Sequence, residues 1–335
     1  MKDNTDRSRR RILKSLGALA GAAMLQKQPV SWSASARRPA PERKSPAGWV
    51  PGLQLYTLGL GPGDDLSAAL KQVAGIGYRQ VEFPGNYGHP VDQLKQAVVA
   101  AGLVCPSIHV LPRRVPNSWH LEGDLSQLAA ELHTLGARYA VVSIPRLPDR
   151  IYNVLLHPPA GFDEAAASRL FETLELDDWK RTADMLNEKA AVLERSGIQT
   201  AYHNHALDFH PLPGGANGYH VLIERTDPKL VRFQLDIGWA VAAKQDVGTL
   251  FKVLGDRVRL LHLKDTKRIA TSLTDLASTD LGTGIVDWRE LVSLVRDSHI
   301  EYMFVEQEPP FVSTPLESAR IDYEFMSHTF GGKAT

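Results

Sequence analysis

Eight short apolar segments alternate with helical segments along residues 51–330, and this alternation is the feature that most constrains the fold. The apolar segments are rich in Val, Ile and Leu on both faces, which is typical of parallel strands covered by helices. They are LQLYT (53–57), QVEF (80–83), VCPSIHV (104–110), YAVVSI (139–144), QTAYHNH (199–205), VRFQLDI (231–237), VRLLHLK (258–264) and EYMFVEQE (301–308). Eight such units predict an α/β fold, a closed (β/α)8 TIM barrel.

The segments between the strands carry helix signals. Helices are expected at 66–74, 91–101, 125–135, 176–196, 247–254, 288–298 and 316–328, and Gly77, Gly102, Gly136 and Gly197 close four of them. An open doubly wound sheet is the alternative, and its first strand should lead into a glycine-rich phosphate loop. The stretch LGLGPGDD after the first strand has no G-x-G-x-x-G spacing and no Walker lysine, so the barrel is favoured.

The N-terminal segment is typical of an export signal. Residues 8–14 read SRRRILK, a twin-arginine pattern, and an apolar run follows at 15–25 that is too short to span a bilayer. Residues 34–36 (ASA) offer a small-residue cleavage site. We therefore expect a signal peptide at 1–36, a charged proline-rich linker at 37–50, and the barrel at 51–330. Export through the twin-arginine route predicts a periplasmic or otherwise exported protein with no stable membrane anchor after cleavage.

Removal of this leader changes the charge balance. Seven of the 38 Lys/Arg residues and two of the 38 Asp/Glu residues lie in it, which leaves 31 basic and 36 acidic residues. No long basic run remains beyond residue 44, so nucleic acid is not expected as a partner. The single cysteine, Cys105, excludes an internal disulfide. The sequence is compatible with a homo-oligomer and does not decide the oligomeric state.

Polar residues end or interrupt most of the apolar strands. In a barrel, reactive groups lie at the carboxyl ends of the strands. The residues concerned are Glu82, His109, His203, Asn204, His205, Asp236, His262, Lys264, Asp265, Glu306 and Glu308. So many ionisable groups on one partly buried rim would repel each other or lose solvation unless a metal or a substrate organises them.

Four of these residues form a candidate metal set, one from each of the fifth to eighth strands: His203, Asp236, His262 and Glu306. Carboxylates and imidazoles suit divalent ions that polarise hydroxyl and carbonyl oxygens. No pair of them has the i, i+4 spacing of a zinc protease, so this prediction rests on fold position.

Several motifs resemble a known family. AYHNHALDF, FQLDIGWAVAAKQDV, RVRLLHLKD, DLGTGIVDW and MFVEQE are similar to the sugar phosphate isomerase/epimerase superfamily, the xylose isomerase-like TIM barrels, and LHLKD with VEQE is the most specific pair. The similarity runs from about residue 52 to 328, and YHNH with a twin-arginine leader resembles exported members. The resemblance implies a (β/α)8 barrel with a catalytic divalent ion, manganese first and magnesium, cobalt or zinc as alternatives. Its metal positions map onto the four candidate ligands.

The resemblance also has a departure. Ketose epimerases of the family carry a glutamate at the fifth-strand ligand position, where this sequence has His203. A symmetrical two-glutamate mechanism is therefore in question. Glu306 is expected to remove the hydrogen beside a metal-polarised carbonyl, and His109, His205 and Lys264 are candidates for the second acid/base.

These residues predict a metal-dependent sugar isomerase or epimerase that forms an enediolate from a ketose or keto-sugar. The close alternative is a lyase or dehydratase acting on a keto-sugar or 3-keto-glycoside. A non-catalytic sugar-binding protein is opposed by the intact ligand set, and an abasic-DNA endonuclease by the acidic exported chain. Contacts to a small carbohydrate substrate are expected from Glu82, Trp239 and Asn204.

Two further segments bear on substrate choice. Residues 143–178 follow the fourth strand without a regular pattern, so we expect a lid over the rim, with a dimer contact as the alternative. The glycines at 282–284 (GTG) offer backbone amides to a phosphate or to a neutral sugar. Because phosphorylated sugars are scarce outside the cytoplasm, an unphosphorylated substrate is expected.

Overall fold

A computed structural model describes residues 49–61, 63–296 and 298–331 of the chain. Eight parallel strands form a closed barrel, since each strand pairs with the next and β8 pairs with β1. They are β1 (Gly52–Gln54), β2 (Gln80–Phe83), β3 (Val104–Leu111), β4 (Tyr139–Val142), β5 (Gln199–His203), β6 (Val231–Asp236), β7 (Val258–Leu263) and β8 (Tyr302–Val305). The predicted (β/α)8 TIM barrel is confirmed.

Helices follow every strand. They are α1 (Leu66–Ile76), α2 (Val91–Ala100), α3 (Leu125–Leu135), α4 (Asp149–Leu156), α5 (Glu164–Phe171), α6 (Leu176–Glu194), α7 (Gly218–Arg225), α8 (Ile237–Ala242), α9 (Val247–Leu254), α10 (Trp288–Arg296) and α11 (Pro315–Phe330). Short 3-10 helices lie at Leu55–Leu58, Ala206–Phe209 and Gly255–Arg257. Trp119–His120 extends the barrel beside β3, and Asp265–Thr266 pairs with Ser278–Thr279 in a small antiparallel ribbon.

The segment 143–178 is not irregular, contrary to expectation, because it contains α4 and α5. In α4, Ile151 and Leu155 lie four residues apart and are both buried, so this helix packs one face on the core. In α5, the Asp163 side chain accepts a hydrogen bond of 2.8 Å from the backbone N–H of Ala166 and caps the helix. The apolar spacing of α4 and the capping residue of α5 are both present in the sequence. The helical pattern is hard to recognise because the two helices are short and are separated by prolines and a glycine.

The hydrophobic core has two parts, and a third, separate cluster of four buried residues lies beside the carboxyl ends of β5 and β6: Ala206, Trp239, Ala242 and Leu276. The larger part lies between the strands and the surrounding helices, as expected for strands that are apolar on both faces. The smaller part consists of strand residues alone, from β4, β5, β7 and β8: Tyr139, Val141, Ala201, Leu260 and Phe304. Phe304 also contacts the ring of His262, with centroids 6.2 Å apart. This packed interior therefore reaches up to the polar residues at the carboxyl ends of the strands.

The N-terminal predictions fall on a part of the chain for which little is described. The leader at 1–36 and residues 37–48 of the linker lie outside the described residues. Within the described ranges, none of the helices combines the length and the apolar character that a membrane crossing requires.

Candidate metal centre

The carboxyl ends of β5 to β8 bring the four candidate ligands together. His203 ends β5, Asp236 ends β6, His262 is the penultimate residue of β7, and Glu306 directly follows β8. One potential ligand atom from each residue lies within 4.8 Å of the other three, and all four residues are buried. The residues that the sequence singles out as metal ligands therefore form one compact cluster.

The chemistry of this cluster fits a divalent cation. Two imidazoles and two carboxylates form a mixed nitrogen and oxygen donor set that Zn, Mn and Co accept. His203 Nδ1 is buried and forms no hydrogen bond with the part of the chain that is described, and the buried Asp236 Oδ2 is paired with the Lys264 ammonium. Around the cluster, the buried ammonium of Lys264 faces three buried carboxylates, Asp236, Glu306 and Glu308. A fourth buried carboxylate, Glu82, contacts His262. A divalent ion would offset this excess of negative charge.

Lys264 follows β7 and is fully buried. Its Nζ lies 2.6 Å from Glu308 Oε1, and it lies 2.9 Å from Glu306 Oε2 and 3.0 Å from Asp236 Oδ2. Burial by itself would lower the pKa of Lys264, but the carboxylates, Asp236 foremost, raise this pKa well above its usual value. Lys264 is therefore a cation at neutral pH, placed beside two of the candidate ligands.

A glycine allows this lysine to pack closely. A Cβ atom on Gly238, in the first turn of α8, would lie 2.7 Å from Lys264 Cγ and 2.9 Å from the carbonyl oxygen of the same residue. Because real side chains do not make such short contacts, α8 can approach the end of β7 only with glycine at this position.

Glu306 is held by two positively polarised groups. Its Oε2 lies 2.7 Å from His262 Nδ1, in addition to the contact with Lys264. Burial would raise the pKa of Glu306, but Lys264 and His262 lower it well below its usual value. The pKa of His262 is shifted in the opposite direction. Burial lowers this pKa, but Glu306 and Glu82 together raise it to about 10.

Glu82, from which a substrate contact is expected, lies in a buried layer of the barrel. It is fully buried, and protein donors already occupy both carboxylate oxygens. Oε2 lies 2.5 Å from His262 Nε2 and 3.2 Å from His109 Nε2. The reason lies in the register: Glu82 pairs with Gln54 on β1 and Ser107 on β3, so it belongs to a layer inside the barrel.

His109 belongs to the same buried layer. Its Nε2 lies 3.0 Å from Gln234 Oε1, and its ring stacks on His262 with centroids 5.4 Å apart. His109 also forms a second histidine cluster with His203 and His262. It therefore adjoins the candidate ligands, and its Nε2 is engaged by protein groups.

Asn204, from which a substrate contact is also expected, lies between the ends of two strands. Its Nδ2 donates to the backbone carbonyl of Asp236 over 3.2 Å, and its Oδ1 accepts from the backbone N–H of Asp236 over 2.9 Å. The side chain is fully buried. Asn204 therefore ties the end of β5 to the end of β6 and so supports the ligands on both strands.

His205 and Trp239 line one side of the cluster. The ring of His205 is half-buried, 4.7 Å from the ring of His203 and 5.5 Å from that of Trp239 by centroid. Burial, with a further contribution from Lys264, lowers the pKa of His205 to about 3, so its imidazole is uncharged at neutral pH. The indole Nε1 of Trp239 donates to Glu308 Oε1 over 2.9 Å.

The glycines at 282–284 do not offer free amides. The backbone N–H groups of Gly282 and Gly284 each donate to Asp265 Oδ2 over 3.0 Å. A Cβ atom on Gly284 would lie 2.1 Å from Asp265 Oδ1, so the carboxylate fills the space beside this loop. The suggested phosphate site at these amides is therefore not supported.

Reasoning from the sequence gave no role to several polar residues of the site. Gln54, Ser107 and Gln234 are buried donors to Glu82. Glu308, which the sequence places at a strand end, binds Lys264 and Trp239. A signal was available for Gln234, which lies two residues before Asp236 in β6 and so faces the same side of the strand. The same spacing relates Glu306 to Glu308.

Comparisons with known proteins agree with this architecture. The chain is 24% identical over 287 residues to the inosose dehydratase of Geobacillus kaustophilus (strain HTA426), an alignment that covers 80% of this chain and 88% of the relative. A sugar phosphate isomerase/epimerase from Parabacteroides distasonis ATCC 8503 superposes with a TM-score of 0.62 at 22% identity, over 87% of this chain and 98% of the other. A xylose isomerase-like TIM barrel protein from Mycobacterium smegmatis, in complex with magnesium, superposes with a TM-score of 0.55 at 13% identity, over 85% and 97%.

Residues 70–327 match the sequence profile described as xylose isomerase-like TIM barrel. This range contains seven of the eight strands and all four candidate ligands. The chain belongs to the family of xylose isomerase-like TIM barrels.

Proposed function

We propose that this protein is a divalent-metal-dependent lyase of the dehydratase type, acting on a small keto-sugar or 3-keto-glycoside. The observation that carries the proposal is His203, which leaves Glu306 as the one ligand glutamate and provides no matching carboxylate on β5. The inosose dehydratase similar to this chain supports the same reaction class. Isomerisation and epimerisation share the first step and remain the neighbouring reactions.

The metal-binding part of the proposal rests on His203, Asp236, His262 and Glu306, with Mn or Zn as the ions that this donor set suits best. The ion would polarise the substrate carbonyl and the adjacent hydroxyl, which acidifies the hydrogen on the carbon next to the carbonyl. Magnesium in a protein of the same fold supports a divalent ion but not its identity.

The protein groups around the cluster supply the proton transfers. A base, either Glu306 or neutral His205, takes the proton from the carbon next to the carbonyl, and the electron pair of the C–H bond forms an enediolate. The Lys264 ammonium stabilises the negative charge on oxygen. When the C–O bond on the following carbon breaks, the leaving oxygen takes its electron pair and a proton from Lys264 or protonated His205. It departs as water or an alcohol, and an unsaturated ketone remains.

Isomerisation or epimerisation is the second candidate function, and the position of His205 favours it. His205 follows β5, whereas Glu306 follows β8, so a proton could be removed by one residue and returned by the other on a different face of the substrate. The half-buried ring of His205 adjoins Trp239, which would form an apolar wall for a sugar.

Deuterium exchange tests these functions. The full chain, loaded with Mn or Zn, is incubated in deuterium oxide with inososes, ketoses and 3-keto-glycosides, and the products are identified by NMR. We expect deuterium beside the carbonyl and an unsaturated product, both lost in Glu306→Gln and kept in Glu194→Gln, a control on the exposed end of α6. A product isomer without elimination would favour the second candidate. Metal binding without exchange on any substrate would contradict both.

We further propose that residues 1–36 direct export through the twin-arginine route and are cleaved. The SRRRILK pattern and the apolar run after it support this. Replacing Arg9, Arg10 and Arg11 by lysine should retain the chain inside the cell, whereas the same change at Arg37 and Arg38 should not. Equal export of both variants would contradict the proposal, and N-terminal sequencing of the exported chain locates the cleavage.

A further inference from the structure

Glu82 lies at the centre of a buried polar layer that connects several strands to the metal cluster. The residue is on β2 and is fully buried. Its Oε2 accepts from Gln54 Nε2 over 2.8 Å and lies 2.5 Å from His262 Nε2. Its Oε1 accepts from Gln234 Nε2 over 2.9 Å and from the hydroxyl of Ser107. A buried carboxylate with this many donors has a fixed position, because any movement would leave several of them unpaired.

The two nitrogens of His262 face different partners. Nε2 points to Glu82, whereas Nδ1 lies 2.7 Å from Glu306 Oε2 and 3.8 Å from Asp236 Oδ2. A nitrogen that carries a hydrogen cannot bind a metal ion, so the hydrogen bond to Glu82 reserves Nε2 for donation. Nδ1 is therefore the nitrogen on the side of the other candidate ligands.

We propose that Glu82 is a positioning residue of the metal centre: it selects Nδ1 of His262 as the nitrogen that binds the ion, and it fixes the orientation of the ring. His109 completes the arrangement, since it contacts Glu82 over 3.2 Å and stacks on His262 at an interplanar angle of 14°. Carboxylate partners of this kind raise the basicity of a ligand histidine and hold its ring. The inference rests on the metal site within the proposed function, and it is independent of the reaction class.

A purely structural role is the competing explanation. Glu82 could serve only to bind Gln54, Ser107 and Gln234, and its removal would then lower stability without a specific effect on the metal. Ser107 separates the two roles, because it contacts Oε1 of Glu82, whereas His262 contacts Oε2. Ser107→Ala thus disturbs the same layer from the other carboxylate oxygen.

Metal titration calorimetry on the full chain tests the proposal with zinc and manganese. We expect Glu82→Gln to weaken metal binding about 10-fold to 100-fold, the range for such partners of ligand histidines. Ser107→Ala should bind metal within threefold of the wild type, even where the two variants have equally lowered melting temperatures. Equal metal affinities in Glu82→Gln and the wild type would overturn the proposal, and so would equal weakening in both variants.

A measurement on the wild type keeps the inference testable if Glu82→Gln does not fold. In the zinc-loaded chain labelled with 15N-histidine, we expect the NMR signals of His262 to show a hydrogen on Nε2 and zinc on Nδ1. Zinc on Nε2 would overturn the proposal. A wild type that binds no divalent ion would overturn the metal site as well, whereas metal binding without turnover would contradict the reaction class alone.

Discussion

Lys264 is a buried cation that pairs with several carboxylates of the site. Its buried ammonium contacts Asp236, Glu306 and Glu308, and it lies 5.6 Å from the centre of the Trp239 ring. Two of these carboxylates are candidate metal ligands, so Lys264 and a divalent ion share the same negative charge. The lysine should therefore weaken metal binding while it strengthens the binding of a negatively charged oxygen on the substrate.

Replacing this residue by methionine should separate the two effects. We expect Lys264→Met to bind Mn or Zn as tightly as the wild type or more tightly, because a positive charge beside the ion is removed. Turnover should fall at least about 100-fold, the usual loss when one stabilising donor is removed. Calorimetry and steady-state kinetics measure both, with Lys71→Met on the exposed face of α1 as the control. Weaker metal binding in Lys264→Met would show that the lysine holds the ligands in place.

At the scale of the elements, the loop between β7 and α10 depends on one carboxylate. Asp265 accepts hydrogen bonds from the backbone of Thr266, Gly282, Gly284 and Val286 and from the indole of Trp288. Because Asp265 directly follows Lys264, this loop and the metal cluster share the end of β7. The sequence DLGTGIVDW is thus explained by the backbone groups that surround the carboxylate.

Loss of this charge should destabilise the protein. We expect Asp265→Asn to lower the free energy of unfolding by about 2–4 kcal/mol. The amide accepts hydrogen bonds at one oxygen only, so some of the buried donors around it lose their partner. Urea unfolding measures the change. Asp92→Asn, on the exposed face of α2, should change it by less than about 0.5 kcal/mol. An equally small effect in Asp265→Asn would mean that the loop is held by other contacts.

The contribution of α11 to the stability of the protein should depend on pH, because this helix carries the buried Asp322. Burial raises the pKa of Asp322 to about 8, with a smaller contribution from Asp280, and the residue accepts from the backbone N–H of Leu281 over 2.7 Å. In the unfolded chain its pKa is about 4. The folded state therefore binds the proton more tightly, and the stabilisation is complete below about pH 4 and is lost as the pH rises through about 8.

The variant Asp322→Asn isolates this contribution. Relative to the wild type, it should gain stability steadily between pH 5 and 8, by at most about 1.4 kcal/mol per pH unit. Unfolding curves of both proteins across this range measure the difference. Parallel pH dependences would argue that the Asp322 carboxyl titrates normally in the folded protein.

At the scale of the whole molecule, the metal cluster joins four strands that are far apart in the sequence. The ligands on β5 to β8 span residues 203–306, so the unfolded chain does not hold them together. An ion that binds only the folded state stabilises the whole barrel by mass action.

Metal addition should therefore raise the melting temperature. At a free ion concentration of 100 times Kd the stabilisation is about 2.7 kcal/mol, which corresponds to roughly 5 °C for a domain of this size. Calorimetric scans with Mn or Zn and with EDTA measure the shift. His203→Ala should abolish most of it without a comparable loss of stability in EDTA. An unchanged shift in that variant would remove His203 from the ligand set.

The sequence by itself determined the barrel and the identity of the clustered residues. Strand and helix periodicities are local properties, and eight repeated units leave few topologies. Once the strands are parallel in one barrel, their carboxyl ends must meet on one face, so His203, Asp236, His262 and Glu306 could be expected to lie together before any coordinates. The helices α4, α5, α7 and α8 were missed because each has only six to eight residues, too few for a clear helical period.

The tertiary structure decided what each polar side chain does. Glu82 and Glu306 both lie near strand ends, yet the register with β1 and β3 places Glu82 inside the barrel, under His262. Asn204 bonds the backbone of β6, and the glycine amides after β7 bind Asp265. The reason is physical: the direction and the partners of a buried polar group depend on strand register and on packing between residues far apart in the chain. No local pattern encodes these long-range contacts.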